Sequence, residues 1–523
     1  MRLLDDYLDP KPDEIVSLAL RKLPATAPIK DRRGSLFINP GGPGGSGTSQ
    51  VIRSGTKLSV ILQGTYDIIS WDPRGVNLTS PPLNCFETEG DSTRFIHDVE
   101  HIGLPYEARG GSLFKGNESS ASELAWAYKS EAFQTALNGA CEERGHQMLL
   151  RSSSTAFVVR DMVSILDALG EPNLNYWGFS YGTILGATFA AMFPDRVNRL
   201  ILDGVSSAAL YTTDMFDWGR SGMDDTMKTY QGFLDSCSDS GPKGCALALT
   251  NTTSPKNIGD RIERLRENLR SRPFAVAKSN VGPGILTTSD IQYAIFHSLY
   301  APKSWPKLAE ALAALESGNG TLLYEMSNAA NNQLARKDPL DNVYHRSMES
   351  STASTAAIMC SDTDSSATEN SSIEEVAAYY RELGEKSITG EIWAAWITTC
   401  RQWRFKALEA YRGPWTVADG LRKTRQTKEE LDMEIEAANE RRSALEKQKS
   451  EQGRAEVDHA KAVAAKVHAA HEGGATLSPP DLESSVAAKR ASVDKQQAEL
   501  DDIEARLAAA DAREAALKAA LGL

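Results

Sequence analysis

The stretch Tyr176-Trp177-Gly178-Phe179-Ser180-Tyr181-Gly182-Thr183 decides how this chain is read. Before it, Asn173 to Trp177 forms a short run fit for a strand. After it, Ile184, Leu185, Thr188, Phe189 and Met192 recur at helical spacing and predict a helix with a buried face. Gly178 and Gly182 flank Ser180 where strand would turn into helix, a turn too sharp for bulkier neighbours. A serine hydroxyl is a poor nucleophile at neutral pH, so chemistry needs a backbone that exposes it and a base beside it. The turn supplies the first. The Gly-x-Ser-x-Gly pattern arises by chance in chains of this length, and its weight comes from its strand and helix context. A plain Gly-Ser turn is the alternative.

Working outward, Ser35 to Asn39 and Tyr66 to Trp71 predict two strands with a helix-like stretch between them. Val158, Met162, Ile165 and Leu169 mark a helix that Gly170 stops; Pro194 ends the helix after Ser180, and Leu200 to Leu202 predicts another strand. This alternation predicts an α/β fold, a mostly parallel sheet with helices on both faces: the α/β-hydrolase core, over residues 1–205, with Ser180 at its nucleophile elbow. From 206 to 415 strand signals fade and helical patterns such as Ser304 to Leu315 and Ile373 to Leu383 predict a helical cap. Residues 416–523 turn to Ala, Glu, Lys, Arg and Gln. There Leu482, Val486, Val493, Leu500, Ile503, Leu507, Ala510, Leu517 and Leu521 step by threes and fours. Gly473-Gly474 and Pro479-Pro480 separate them from a preceding helix, which predicts a helical hairpin or coiled coil.

Asn39-Pro40-Gly41-Gly42-Pro43-Gly44-Gly45-Ser46-Gly47 follows a strand and precedes a helix, where this fold places a main-chain donor for a tetrahedral oxyanion. Pro43 has no N–H, so Gly42 is the better donor, paired with the amide of Tyr181. The rival reading, a phosphate-binding loop, lacks the Gly-Lys-Ser/Thr ending. Trp71-Asp72-Pro73-Arg74-Gly75 reads as a structural turn, or as an acid and an arginine that orient the glycine loop.

The 523 residues suffice for several domains, and 41% hydrophobic with 24% charged residues is ordinary for a globular protein. No apolar run is long enough to predict a membrane span. A net charge of -13 argues against a nucleic-acid partner and suits a peptide or small amide or ester substrate. Cys85, Cys141, Cys237, Cys245, Cys360 and Cys400 are compatible with three disulfides or with six free thiols. Sequons at Asn77, Asn117, Asn251, Asn319 and Asn370 add a lean towards a secreted glycoprotein, whereas the acidic start has no signal-peptide run.

The glycine loop with its strand, the Trp-Asp-Pro-Arg-Gly turn, the Ser180 stretch and Phe193-Pro194-Asp195-Arg196-Val197 through Leu202-Asp203-Gly204-Val205 together resemble the tripeptidyl-aminopeptidase branch of the α/β-hydrolases, relatives of prolyl iminopeptidase. Ile358-Met359-Cys360-Ser361-Asp362, and Trp403 with Gly413-Pro414-Trp415, are similar to that branch too. The resemblance spans about residues 5 to 415. It implies a serine exopeptidase that takes short units from peptide N-termini, exported and without a cofactor or metal. Pairs Cys85 with Cys141, Cys237 with Cys245 and Cys360 with Cys400 suit that picture.

The triad of this fold runs Ser, then Asp or Glu, then His, the last two on loops after late strands. The resemblance implies a Gly-x-x-Asp turn and a Gly-His pair after the cap, and the sequence beyond Pro414 has neither. Histidines after Ser180 are His297 and His345 in the cap and His459, His468 and His471 in the tail, each better suited to packing or solvent; the base is unassigned. Asp203 is a candidate acid. Three expectations follow: a serine exopeptidase, inactive as written if its acid and base are missing; a carboxyl-ester or amide hydrolase on the same fold; or a non-catalytic body whose tail self-associates or binds a partner. The start and the tail also raise the expectation of a truncated or misjoined gene.

Overall fold

The structure, a computed structural model, describes residues 1–415 except 5, 12–13, 89, 93, 96–102, 109–118, 329–351 and 365. The expected coiled coil of 416–523 and His345, His459, His468 and His471 lie outside the described residues.

Strands β1 (Arg2–Leu4) and β2 (Ile15–Ser17) pair as a separate antiparallel ribbon. The central sheet holds β3 (Leu20–Leu23), β4 (Ser35–Asn39), β5 (Asp67–Trp71), β6 (Leu174–Phe179) and β7 (Val197–Asp203) in the order β3-β5-β4-β6-β7. Only β3 runs antiparallel to its neighbour. β4 is buried along its whole length because both faces are covered. Leu36 and Ile38 point to one side, with Val51 and Leu58 of α1 (Gly47–Ile61); Phe37, between them, joins Trp71 and Tyr176 in the larger core opposite.

The turns of the main chain decide where these elements end. Helix α2 (Ser119–Arg144) precedes α3 (Thr155–Leu169), which buries Val158, Met162 and Ile165 against the sheet. Gly170 closes α3 in the left-handed conformation at φ 69°, where glycine has no side-chain penalty. Leu169, expected on the apolar face, is 43% exposed in that last turn, while Val159 and Leu166 are buried instead. Helix α4 (Tyr181–Met192) stops two residues before Pro194, which opens a short 3₁₀ turn.

Helices dominate from 206 to 415: α5 (Ala208–Thr213), α6 (Met215–Ser221), α7 (Thr226–Gly244), α8 (Pro255–Ser271), α9 (Thr288–Leu299), α10 (Trp305–Glu316), α11 (Thr352–Asp362), α12 (Ile373–Lys386) and α13 (Gly390–Ile397). Among the described residues one small antiparallel hairpin, β8 (Phe274–Val276) with β9 (Gly284–Leu286), interrupts them. Their packing falls into two groups. Tyr211, Trp218, Ile358, Tyr380 and Ile397 share the core that covers the sheet, whereas Phe233, Ile262, Ile295 and Leu312 build a second core of their own. Disulfides join Cys85 to Cys141, Cys237 to Cys245 and Cys360 to Cys400, and no described cysteine is free. Among the described residues no helix is long and apolar enough to cross a membrane.

Candidate active site

Ser180 occupies the turn between β6 and α4 with φ 56° and ψ -123°, a positive φ that a residue with a side chain rarely adopts. The surroundings fix it there. Its N–H donates to Asp203 O at 3.0 Å, and its carbonyl accepts from Thr183 N at 2.8 Å and Thr183 Oγ1 at 2.7 Å. A Cβ at Gly178 would stand 2.2 Å from Gly182 O, so β6 can meet the following helix this closely only through glycine. The strand nonetheless continues through Gly178 and Phe179, which pair with Leu202 and Asp203. Ser180 itself is exposed.

The glycine loop lies directly against the elbow. A Cβ on Gly41 would come within 2.4 Å of Phe179 O and 3.0 Å of Tyr181 N. Gly41 N donates to Asn39 Oδ1 at 2.9 Å, and Gly45 N to Gly41 O at 3.1 Å, which curls the loop. Among the described residues nothing accepts a hydrogen bond from the main-chain N–H of Gly42 or of Tyr181. Two unengaged donors at the edge of an exposed serine can receive a developing oxyanion.

Asp72 anchors the start of α1. Its buried carboxylate accepts from Ser46 Oγ at 2.7 Å, Thr48 N and Thr48 Oγ1 at 3.0 Å, and Asn77 Nδ2 at 2.9 Å. Arg74 turns away from the loop: its guanidinium pairs with buried Asp161 at 2.8 Å and donates to Leu4 O at 2.6 Å. The acid of the Trp-Asp-Pro-Arg-Gly turn orients the loop, and the arginine ties the N-terminal ribbon to α3.

Asp203 sits at the end of β7, which pairs with β6 alone among the described residues. Its carboxylate accepts from Trp177 Nε1 at 3.3 Å. The two described histidines have other partners: His146 Nδ1 accepts from Leu149 N at the start of a short helix, and His297 packs against the rings of Tyr293 and Phe296, where burial lowers its pKa.

One group of residues has no role in the sequence reading. Asp362, fully buried, accepts from Thr155 N at 2.7 Å, Thr155 Oγ1 at 2.6 Å and Tyr211 Oη at 2.9 Å; Thr155 Oγ1 also bonds Tyr181 Oη. The only local signal was the Ile358–Asp362 segment within the resemblance. Helix α2 and the helices of the cap line an open cavity of about 460 Å³ walled by Trp126, Phe133, Tyr293, Phe296, Trp393 and Trp396. Trp393 meets Trp218, Trp218 meets Tyr211, and Tyr211 meets Tyr181, each ring edge-on at 5.6, 5.1 and 6.0 Å.

Comparison with known proteins agrees with this geometry. A family profile for the alpha/beta hydrolase fold matches residues 34–236, which include both the glycine loop and the elbow. Serine protease Hip1 of Mycobacterium tuberculosis is 28% identical over 324 residues, 62% of this chain and 56% of the relative. A tripeptidyl aminopeptidase of Streptomyces lividans is 27% identical over 359 residues, 68% of this chain and 58% of its own. Carboxylesterase B of Mycobacterium tuberculosis is 26% identical over 303 residues, 58% of this chain and 51% of its own. The chain thus spans little more than half the length of these relatives. Its fold is that of the α/β-hydrolases, and over this region its sequence is similar to serine peptidases.

Proposed function

We propose that this chain is a serine hydrolase that releases short units from the N-termini of peptides, with Ser180 as nucleophile and the N–H groups of Gly42 and Tyr181 as oxyanion donors. The observation that carries the reading is the exposed, positive-φ Ser180 in close contact with the glycine loop at Gly41, where the main-chain N–H groups of Gly42 and Tyr181 are unengaged among the described residues. Attack of Ser180 Oγ on the scissile carbonyl forms a bond to carbon and moves its electron pair onto the carbonyl oxygen, where the two amides stabilise it. The Ser180 hydroxyl proton passes to a general base and from it to the departing nitrogen, so that collapse expels a neutral amine and leaves an acyl-enzyme, which water hydrolyses with the same base taking its proton. The hydroxyl proton needs a base. Asp203 remains the candidate acid in this reading, since the elbow amide holds its strand end.

Purified protein is expected to release chromophore from a tripeptidyl anilide, with Ser180→Ala abolishing release. An ester cleaved in preference to the anilide would favour the carboxyl-ester reading, for which the carboxylesterase relative speaks. A non-catalytic body is the second reading, favoured by the placement of His146 and His297 in packing and capping roles. Turnover no greater than that of Ser180→Ala would decide for it.

A further inference from the structure

Buried hydroxyls next to an ionised carboxylate have no freedom in where their protons point. A carboxylate only accepts, so the single proton of Thr155 Oγ1 is committed to Asp362 Oδ2, and so is that of Tyr211 Oη. Thr155 Oγ1 therefore meets Tyr181 Oη as an acceptor, and the Tyr181 hydroxyl donates. The run of protons has one direction, from Tyr181 through Thr155 to Asp362. Thr155 N, the first amide of α3, donates to the same carboxylate and adds the favourable end of the helix dipole.

We propose that Asp362 is the positioning residue of the elbow: through Thr155, and braced by Tyr211, its carboxylate fixes the Tyr181 side chain and thereby the direction of the Tyr181 amide beside Ser180. The proposal rests on the reading of Ser180 as nucleophile and Tyr181 as oxyanion donor. It assigns a task to a buried carboxylate that ends α11 and meets Thr155, the first residue of α3.

The titratable and charged groups that face Asp362 are Tyr181, Tyr211 and Arg412. Both tyrosines are pushed well above the usual phenol range, chiefly by burial, so they stay donors. Arg412 reaches only the main chain, donating to Asp362 O at 3.1 Å and Thr363 O at 2.8 Å. Desolvation outweighs these partners and raises the Asp362 carboxyl to about 6. Protonated, it becomes a donor itself and the direction of the network is no longer imposed.

The test is hydrogen–deuterium exchange on the full chain, corrected for intrinsic rates, in wild type, Asp362→Asn and Tyr181→Phe. At about pH 7.5 both variants are expected to exchange about tenfold faster in the peptide that follows Ser180, what one lost hydrogen bond is worth, with β4 and β5 unchanged. Wild type should show the same local loss between about pH 7.5 and pH 5, and Asp362→Asn should be flat there. Elbow exchange equal to wild type in both variants, or loosening spread over the whole sheet, overturns the proposal. If Asp362→Asn does not fold, Tyr181→Phe, which removes one hydroxyl, decides together with the wild-type pH profile. Exchange is read without turnover: the local pattern in a chain that releases no product keeps the positioning role and removes the hydrolase reading, and turnover without the pattern does the reverse.

Discussion

Gly41 stands so close to Ser180 that a Cβ at residue 41 would lie 2.9 Å from the Ser180 Cβ. The two segments that carry the proposed chemistry, separated by most of the core in sequence, are in van der Waals contact, and in the proposed function that contact would set the distance from nucleophile to oxyanion donors.

Gly41→Ala tests the contact. At φ 89° an alanine is strained, and its methyl would press on Phe179 O as well as on Ser180. Shifting the loop costs stability of order 1–3 kcal/mol and displaces Gly42. Hydrolysis is expected to fall by about 10²-fold or more, as when an oxyanion donor is lost, with urea unfolding to measure the stability change.

Thr48→Val removes one of the bonds to Asp72 while Ser46 and Asn77 keep theirs. A buried carboxylate that loses one donor but stays paired should cost about 1–3 kcal/mol. Thermal melts give the loss; equal melting temperatures would show that the turn does not depend on this bond.

Stability should carry the mark of Asp362 with a definite sign. Its carboxyl is raised from 3.8 to about 6 in the folded chain, so the folded state holds the proton more tightly. The contribution is fully present below about pH 4 and is lost as pH rises through about 6. Relative to wild type, Asp362→Asn is therefore expected to gain stability between those pH values, as read by urea unfolding at each. A constant difference would contradict the assignment.

The disulfides close loops of different length. Chain entropy gives roughly 4 kcal/mol for a loop such as Cys85–Cys141, separated by 56 residues, and about 2.5 kcal/mol for Cys237–Cys245, separated by 8. Paired Cys→Ala replacements should lower the melting temperature in that order.

The elbow was legible because all its determinants are local: two glycines, a strand and a helix within a few residues. The outer strands were less so. β7 extends from Val197 to Asp203, beyond the expected Leu200 to Leu202, because Asn198 and Arg199 face solvent at the sheet edge and hide the strand pattern. β3 carries Arg21 and Lys22 for the same reason and was not anticipated. The β8–β9 hairpin is too short, at three residues per strand, to show a period. Asp362 could not be tied to the elbow by any pattern, since it meets Thr155 across 207 residues of sequence. Its segment stood out only by resemblance.

The most direct test of Ser180 as nucleophile is labelling by a fluorophosphonate, which reacts with an activated serine hydroxyl and needs no choice of substrate. Mass spectrometry of the labelled, digested protein is predicted to find the adduct on Ser180 and none in Ser180→Ala. Protein of this sequence that stays unlabelled at Ser180 while a known serine hydrolase in the same tube reacts would contradict the account.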